Sequence, residues 1–140
     1  MVDKQFVATK ALIVHEGKLL FLRESSGYGD GTQEGRYDVP GGRVQPGERF
    51  DESLPREIQE ETGLSVAMER PFHMDEWRPE VRGEHWQIIA TFFLCKADSE
   101  DVTLSEDHDS YVWVTPQEAL SLNIIPNLTS MIQAYMEITK

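Results

Sequence analysis

One stretch, Gly42 to Leu64, constrains the fold of this chain more than any other. Within it, Glu57, Glu60 and Glu61 stand at i, i+3 and i+4, the spacing that brings side chains together on one face of a helix. This acidic face overlaps the edge of an apolar stripe. The stripe consists of Phe50, Leu54 and Ile58. Carboxylates gathered beside a buried face repel one another and lose solvation, and a hard divalent cation is the usual remedy. The stretch therefore predicts a helix that holds a metal ion.

Glycines flank this helix. We expect Gly41-Gly42 to form a flexible loop, Gly47 to form a turn, and Gly63 to cap the helix in the left-handed conformation. The pattern thus predicts a loop, a helix and a stop, with the carboxylates near the junction of loop and helix.

The predicted helix, Glu48 to Thr62, contains Pro55. A proline inside a helix removes an amide donor and clashes with the preceding turn, at a cost of about 3 kcal/mol. Either the regular helix begins near Ser53 or its first turn is distorted. Both alternatives leave the three glutamates on regular helix after the proline.

The stretch resembles the Nudix box without a gap, as found in MutT-like members of the Nudix hydrolase family. The matching positions are Gly42, Glu48, Arg56-Glu57, Ile58, Gln59, Glu60-Glu61, Thr62, Gly63 and Leu64. The resemblance implies the α/β (α+β) class, with the mixed β-sheet of a Nudix-type α/β/α sandwich. We expect residues 1–140 to form a single domain.

The resemblance also implies a chemistry: hydrolysis of a nucleoside diphosphate linked to another group, by attack of water on phosphorus. It implies Mg²⁺ or Mn²⁺ as cofactor, with Glu57, Glu60, Glu61 and the Gly41 carbonyl as ligands. Glu57 occupies a position that serves as the base in some members. Arg56 resembles the residue that pairs with the carboxylates and orients them, although a surface ion pair is the simpler interpretation.

A further acidic ligand or base in this family often lies six residues before a tryptophan on a late loop. Asp107 occupies that position before Trp113. Glutamate is commoner there, so the chain departs from the family pattern. Three alternatives follow: Asp107 reaches the metal ions, Glu106 takes its place, or the loop is only solvated.

Three residues are predicted to bind the substrate. Arg23 ends the second strand, where family members often place an arginine that contacts phosphate, although an exposed strand end would look the same. Arg36 begins the strand after a glycine-rich loop, and Trp77 could stack on a base.

The compact chain favours a nucleoside triphosphate pyrophosphohydrolase, which releases a nucleoside monophosphate and pyrophosphate. The alternative is an ADP-ribose or nucleotide-sugar pyrophosphatase, because Pro79 lies 15 residues beyond Leu64, a spacing that resembles a marker of ADP-ribose hydrolases. A non-catalytic nucleotide-sensing module ranks last, because every carboxylate of the box is present.

The net charge of −12 argues against partners such as nucleic acid or anionic membranes. It leaves a small nucleotide substrate possible, since metal ions can bridge phosphates and carboxylates.

Neither a signal peptide nor an apolar run long enough to span a bilayer is visible. Cys95, the only cysteine, is predicted to be buried. We expect a cytoplasmic protein, and a homodimer is possible.

The rest of the chain is predicted to be mainly strand. Strands are expected at Val7–Val14, Leu19–Arg23, Arg36–Val39, from Leu64 to Met68, at His85–Lys96 and at Tyr111–Val114. Loops are expected at Ser25–Gly35, near the substrate mouth, at Pro71–Glu84 and at Ala97–Ser110. A capping box predicts a helix start at Thr115–Glu118, and apolar residues after Pro126 recur at helical spacing.

Overall fold

The computed structural model describes residues 1–25 and 35–140. Within them the strands are β1 (Lys4–His15), β2 (Lys18–Glu24), β3 (Tyr37–Asp38), β4 (Gly41–Arg43), β5 (Val66–Trp77), β6 (Glu80–Val81), β7 (Glu84–Ala97) and β8 (His108–Val114). The helices are α1 (Phe50–Thr62), α2 (Pro116–Ala119) and α3 (Leu128–Ile138).

The strands form one mixed sheet in the order β3-β2-β1-β7-β5. At its centre β1 and β7 pair in parallel, from Lys4 opposite Trp86 to Val14 opposite Lys96. The other edge of β1 is shared, because β2 pairs with its end at His15 while β4 pairs with its middle at Lys10. Strand β8 pairs with β2, and β5 pairs with β7. The expected mixed sheet is confirmed.

Helices cover both faces of the sheet, because alternate residues of a strand point to opposite sides. On one face Ala11, Ile13 and Cys95 pack with Leu54 and Ile58 of α1. On the other face a second cluster joins the sheet to α2 and α3. It includes Leu12, Phe92, Ala119, Leu128, Met131 and Ile132. This is the predicted α/β/α sandwich.

The strands expected at Val7–Val14 and Leu19–Arg23 are present in β1 and β2, which form an antiparallel hairpin. Glu16 and Gly17 both have positive φ, 49° and 78°, which is the requirement of a type I′ turn. This turn matches the right-handed twist of the flanking strands, so His15 pairs directly with Lys18.

Helix α1 is continuous from Phe50 to Thr62 with Pro55 inside it, so the alternative of a start near Ser53 is wrong. The amide nitrogen of Ser53 already donates to the Arg49 carbonyl at 2.9 Å. Gly63 ends the helix with φ 74°, as predicted for a left-handed cap.

The segment Pro71–Glu84 is not a loop, contrary to the prediction. Strand β5 continues to Trp77, and β6 forms a short hairpin with the start of β7. Pro71 is tolerated because β5 is the edge strand and its register shifts between Pro71 and His73. The predicted loop Ser25–Gly35 lies, apart from its two end residues, outside the described residues.

Cys95 is fully buried on β7, as predicted, and burial raises the pKa of its thiol to about 12. In the described parts of the chain, no helix has both the length and the apolar character needed to cross a membrane.

The glycine pair before α1 also differs from its prediction, because Gly41 and Gly42 lie in strand β4 rather than in a flexible loop. Gly41 has φ 133°, and a Cβ there would stand 2.8 Å from the Lys10 Cα and directly against the Thr9 carbonyl oxygen. Both neighbours are backbone atoms, which cannot rotate away. The position therefore admits glycine alone.

We expect Gly41→Ala to lower the free energy of unfolding by more than about 2 kcal/mol, because backbone strain and a backbone clash add. Gly17→Ala is the matched control, since Gly17 also has positive φ but no atom within 4 Å of the added Cβ. Urea unfolding without metal measures both variants. Equal destabilisation by the two would show that only the backbone conformation matters at Gly41.

Candidate active site

Glu61 is the most deeply buried carboxylate of α1, with 9% of the residue exposed. Its Oε2 accepts a hydrogen bond from the Gly41 amide nitrogen at 3.4 Å. Burial raises the pKa of Glu61 to about 8, and the negative charge of Glu57 adds to this, while Lys10 and the Gly41 amide oppose it. Without a further cation, this group resists ionisation at neutral pH.

Glu57, one turn earlier, is half-buried, and burial also raises its pKa. A Cβ on Gly42 would stand 2.7 Å from its Oε2. Glu57 therefore lies directly over strand β4, and glycine at position 42 makes that approach possible.

Lys10 is the buried cation beside these two glutamates. Its Nζ contacts the Asp38 Oδ2 at 2.9 Å, and 12% of its side chain is exposed. Burial opposes its charge, but Asp38 and the nearby Glu61 and Glu57 outweigh burial and raise the pKa of Lys10. One ammonium thus faces three carboxylates, so the cluster has a deficit of positive charge.

Arg56 connects the loop before α1 to the helix. Its Nη2 donates to the Glu48 Oε2 at 2.9 Å, and its Nη1 donates to the Glu60 Oε1 at 3.2 Å. The Glu48 Oε1 accepts a hydrogen bond from the backbone amide nitrogen of Gln45 at 2.8 Å, which fixes the loop at this end. Arg56 therefore pairs with a box carboxylate, as the resemblance implied.

Glu60 is the exposed member of the three glutamates. Its side chain is 62% exposed, and its carboxylate pairs with Arg56. Among the described residues, the carboxylate oxygens of Glu57, Glu60 and Glu61 do not all lie within 4.8 Å of one another. Glu61 is buried and Glu57 is half-buried, so these two carry the desolvation of the cluster.

Two adjoining cavities of about 430 and 370 Å³ open beside this cluster, and both are lined by Lys10, Glu24 and Trp77. We refer to them together as the cleft. Five of the chain's 13 lysine and arginine residues line it. They are Lys10, Arg36, Arg43, Arg78 and Arg82. In a chain of net charge −12, this is a marked local concentration of positive charge.

A larger cavity of about 830 Å³ lies beside the start of α1. Its lining includes the apolar residues Phe6, Val7, Phe50 and Phe93. Such walls do not suit phosphate chemistry. The cleft instead contains four arginines and Lys10, whose ammonium interacts with Glu57 and Glu61, so the cleft is the better candidate site.

The predicted substrate-binding residues divide between two locations. Trp77 and Arg36 line the cleft. Arg23 instead forms an ion pair with Asp109, whose Oδ1 lies 2.7 Å from the arginine Nε. Asp107 lies in the segment before β8, where its carbonyl accepts from the Ser25 amide at 3.0 Å.

Sequence reasoning missed several residues of the site. Lys10, Asp38, Glu24, Arg43 and Trp86 were not singled out, yet all line the cleft or its base. One signal was available for Lys10: it is a single charge inside the apolar run VATKALIV, where a lysine needs a buried partner. The other four carry no local signal.

Comparison with known proteins agrees with this geometry. A family profile described as NUDIX domain matches residues 4–135. The chain is 32% identical over 117 residues to the nucleoside triphosphatase NudI of Klebsiella pneumoniae, which covers 76% of this chain and 79% of that protein. It is 29% identical over 120 residues to NudI of Escherichia coli K12, covering 81% and 84%.

Among solved structures, the crystal structure of a MutT protein from Methanosarcina mazei Go1 has a TM-score of 0.88 at 27% identity, covering 100% of this chain and 99% of that one. The fold, the carboxylate-bearing helix and the match over residues 4–135 agree. The chain therefore belongs to the Nudix family.

Proposed function

We propose that this chain is a metal-dependent nucleoside triphosphate pyrophosphohydrolase, which releases a nucleoside monophosphate and pyrophosphate. The observation that carries the proposal is the cationic cleft beside the buried glutamates of α1. A triphosphate needs cations along its whole length, and the acidic helix cannot supply them. The arginines can contact phosphate oxygens directly, and a metal ion can join phosphates to carboxylates.

The carboxylates fit a divalent cation on two grounds. Glu57 and Glu61 are desolvated oxygen donors, and Lys10 cannot neutralise them because Asp38 already engages its ammonium. Hard oxygen donors suit Mg²⁺ or Mn²⁺. We infer that Glu57, Glu60, Glu61 and the Gly41 carbonyl hold the metal. When bound, it supplies charge neutralisation for the diphosphate and makes water a better nucleophile.

Other residues position the reaction. Arg56 holds Glu60 and Glu48 together, so it limits the rotamers from which Glu60 reaches the site. We infer that Glu57, which is half-buried against Gly42 of β4, accepts the proton of the attacking water. Phosphoryl transfer depends mainly on such positioning and on charge stabilisation.

Asp107 is our second candidate for the proton acceptor or for a further ligand. Burial lowers the pKa of the neighbouring His108, and the charges of Asp38, Lys10 and Asp107 also act on this pKa. The segment therefore faces the side of the sheet on which Lys10 lies. Ser25 ties the segment to the end of β2, because its Oγ donates to the Glu106 carbonyl at 2.9 Å.

Aromatic residues in the cleft support a nucleotide substrate. Trp77 lines both cavities and Trp86 lines one, and either ring could stack on a base. Similarity to relatives named nucleoside triphosphatase supports a triphosphate, rather than ADP-ribose, as the substrate of this chain.

We propose that the reaction takes place in the cytoplasm, where a lone buried thiol such as Cys95 needs no disulfide partner.

The first prediction concerns Glu61. With metal absent, its pKa is about 8 in the folded state against 4.5 for an exposed glutamate side chain, so between these pH values the folded state binds a proton that the unfolded state has released. The free energy of unfolding should fall as pH rises from 4.5 to about 8, by at most about 1.4 kcal/mol per pH unit. When unfolding by urea is measured in EDTA, the Glu61→Gln variant should no longer show this dependence of stability on pH. In the presence of Mg²⁺, the same substitution should lower kcat by about 100-fold or more.

Glu52→Gln is the control on the same helix. The Glu52 side chain is 78% exposed, and its ion pair with Arg49 is long, with 3.9 Å between the Arg49 Nε and the Glu52 Oε1. This variant should leave both the slope and kcat unchanged. An identical slope in wild type and Glu61→Gln, or full turnover of the wild type in excess EDTA, would contradict the proposed metal site.

The second prediction concerns Asp107. If it accepts the proton or completes the metal site, Asp107→Asn should lower kcat far more than it changes KM. Glu106→Gln is the matched neighbour and should have little effect. Steady-state kinetics with a saturating triphosphate measure both. Losses of only about twofold in each variant would indicate a solvated acidic segment without a catalytic group.

The third prediction concerns the substrate. We expect a nucleoside triphosphate to have the highest kcat/KM in a screen of triphosphates, nucleotide sugars and ADP-ribose with Mg²⁺. Chromatography identifies the products: a monophosphate and pyrophosphate from a triphosphate, or AMP and ribose 5-phosphate from ADP-ribose. A tenfold or greater preference for ADP-ribose, about 1.4 kcal/mol of transition-state stabilisation, would overturn the choice.

A further inference from the structure

A second group of potential metal ligands lies away from the cleft, at the turn between β1 and β2. It consists of His15 at the end of β1, Glu16 in the turn, and Glu100 in the segment between β7 and β8. One ligand atom from each lies within 4.8 Å of the other two. Across the described ranges, this is the group of three histidine, cysteine or acidic side chains that meets this distance.

The imidazole of His15 is oriented by a backbone carbonyl. Its Nδ1 lies 2.9 Å from the Ala97 oxygen. A carbonyl oxygen only accepts hydrogen bonds, so Nδ1 carries the proton. In the neutral ring Nε2 then holds a lone pair, and it faces the Glu16 Oε1 at 3.8 Å. Histidines that bind metals are commonly fixed in this way, with the other ring nitrogen donating to a carbonyl or carboxylate.

Independent elements fix the backbone at all three positions. Glu16 has φ 49° in the type I′ turn, which places it next to His15. The Glu100 carbonyl accepts from the Trp113 Nε1 at 3.1 Å, and the Trp113 ring packs edge-on to His15 with centroids 6.1 Å apart. The donors therefore converge because β1, its turn and β8 hold them there.

We propose that His15, Glu16 and Glu100 form a binding site for a divalent transition metal of the Zn²⁺ class. A tetrahedral ion with bonds of 2.0–2.2 Å needs donors about 3.4 Å apart, so donors that lie within 4.8 Å must approach one another by at most about 1.4 Å. Rotation of the Glu16 and Glu100 side chains can provide this, since neither residue is buried. Water would complete the coordination.

The donor set separates this site from the one on α1. The imidazole favours Zn²⁺ and its neighbours in the first transition row over Mg²⁺, whereas the glutamates of α1 offer oxygen alone. His15 also lies five residues along β1 from Lys10, about 16 Å at 3.3 Å per residue. A metal ion here would cross-link the β1–β2 turn to the segment that carries Asp107.

The test is Zn²⁺ binding to the full-length, tag-free chain after chelator treatment, with Mg²⁺ in large excess to occupy the carboxylates of α1. Isothermal titration calorimetry should show one equivalent of Zn²⁺ bound. His15→Gln and Glu100→Gln should each weaken binding at least about tenfold. In long-range ¹H–¹⁵N spectra, Zn²⁺ should shift the Nε2 signal of His15 while its Nδ1 remains protonated.

His85→Gln is the matched control. The Nδ1 of His85 lies 3.9 Å from the Glu80 Oε2, but no third ligand joins this pair in the described chain. It should bind Zn²⁺ like the wild type. Absence of Zn²⁺ binding under excess Mg²⁺, undiminished binding by His15→Gln, or an unchanged His15 signal would overturn the proposal. Since the readout is binding alone, it is independent of any hydrolase activity.

Discussion

The parallel pairing of β1 with β7 is the constraint on which the rest of the structure depends. It extends from Lys4 opposite Trp86 to Val14 opposite Lys96, and in β1 the consecutive residues Ala11 and Leu12, which point to opposite faces of the sheet, are both fully buried. On its other edge β1 has two partners, first β4 and then β2. Where these two diverge, Lys10 from one face of the sheet comes close to glutamates that belong to a helix on the opposite face.

The proximity of Lys10 to Glu57 and Glu61 determines the electrostatics of the candidate site. Strand β4 provides both contacts to the glutamates, because Gly42 leaves room for the Glu57 carboxylate and the Gly41 amide donates to Glu61. The cluster then contains more negative than positive charge in a poorly solvated place. Such an arrangement costs free energy in the metal-free protein, and the site can recover that cost when a cation binds. In the proposed metal site, stability and cation affinity are therefore linked at the same residues.

The parts of the fold that were predictable carry local signals. The β1–β2 hairpin follows from the Glu16-Gly17 turn, and α1 follows from carboxylate spacing and its glycine cap. The start of β5 was predicted, but its continuation to Trp77 was missed because Pro71 and its polar neighbours suggest a loop, whereas an edge strand with a register shift tolerates them. Lys10 was missed because its partner Asp38 is distant in sequence, so only tertiary packing brings the two together.

The long sequence separation of the β1–β7 pairing has a consequence for folding. Gln5 contacts Gln87 across 82 residues, and this pairing is needed before β1 has neighbours on both sides. Contacts of such high sequence separation form slowly, because loop closure costs entropy before the contacts repay it. On a ribosome the acidic helix emerges well before β7 does. At that point β1, with its apolar run, still lacks its central partner and depends on the later half of the chain for burial.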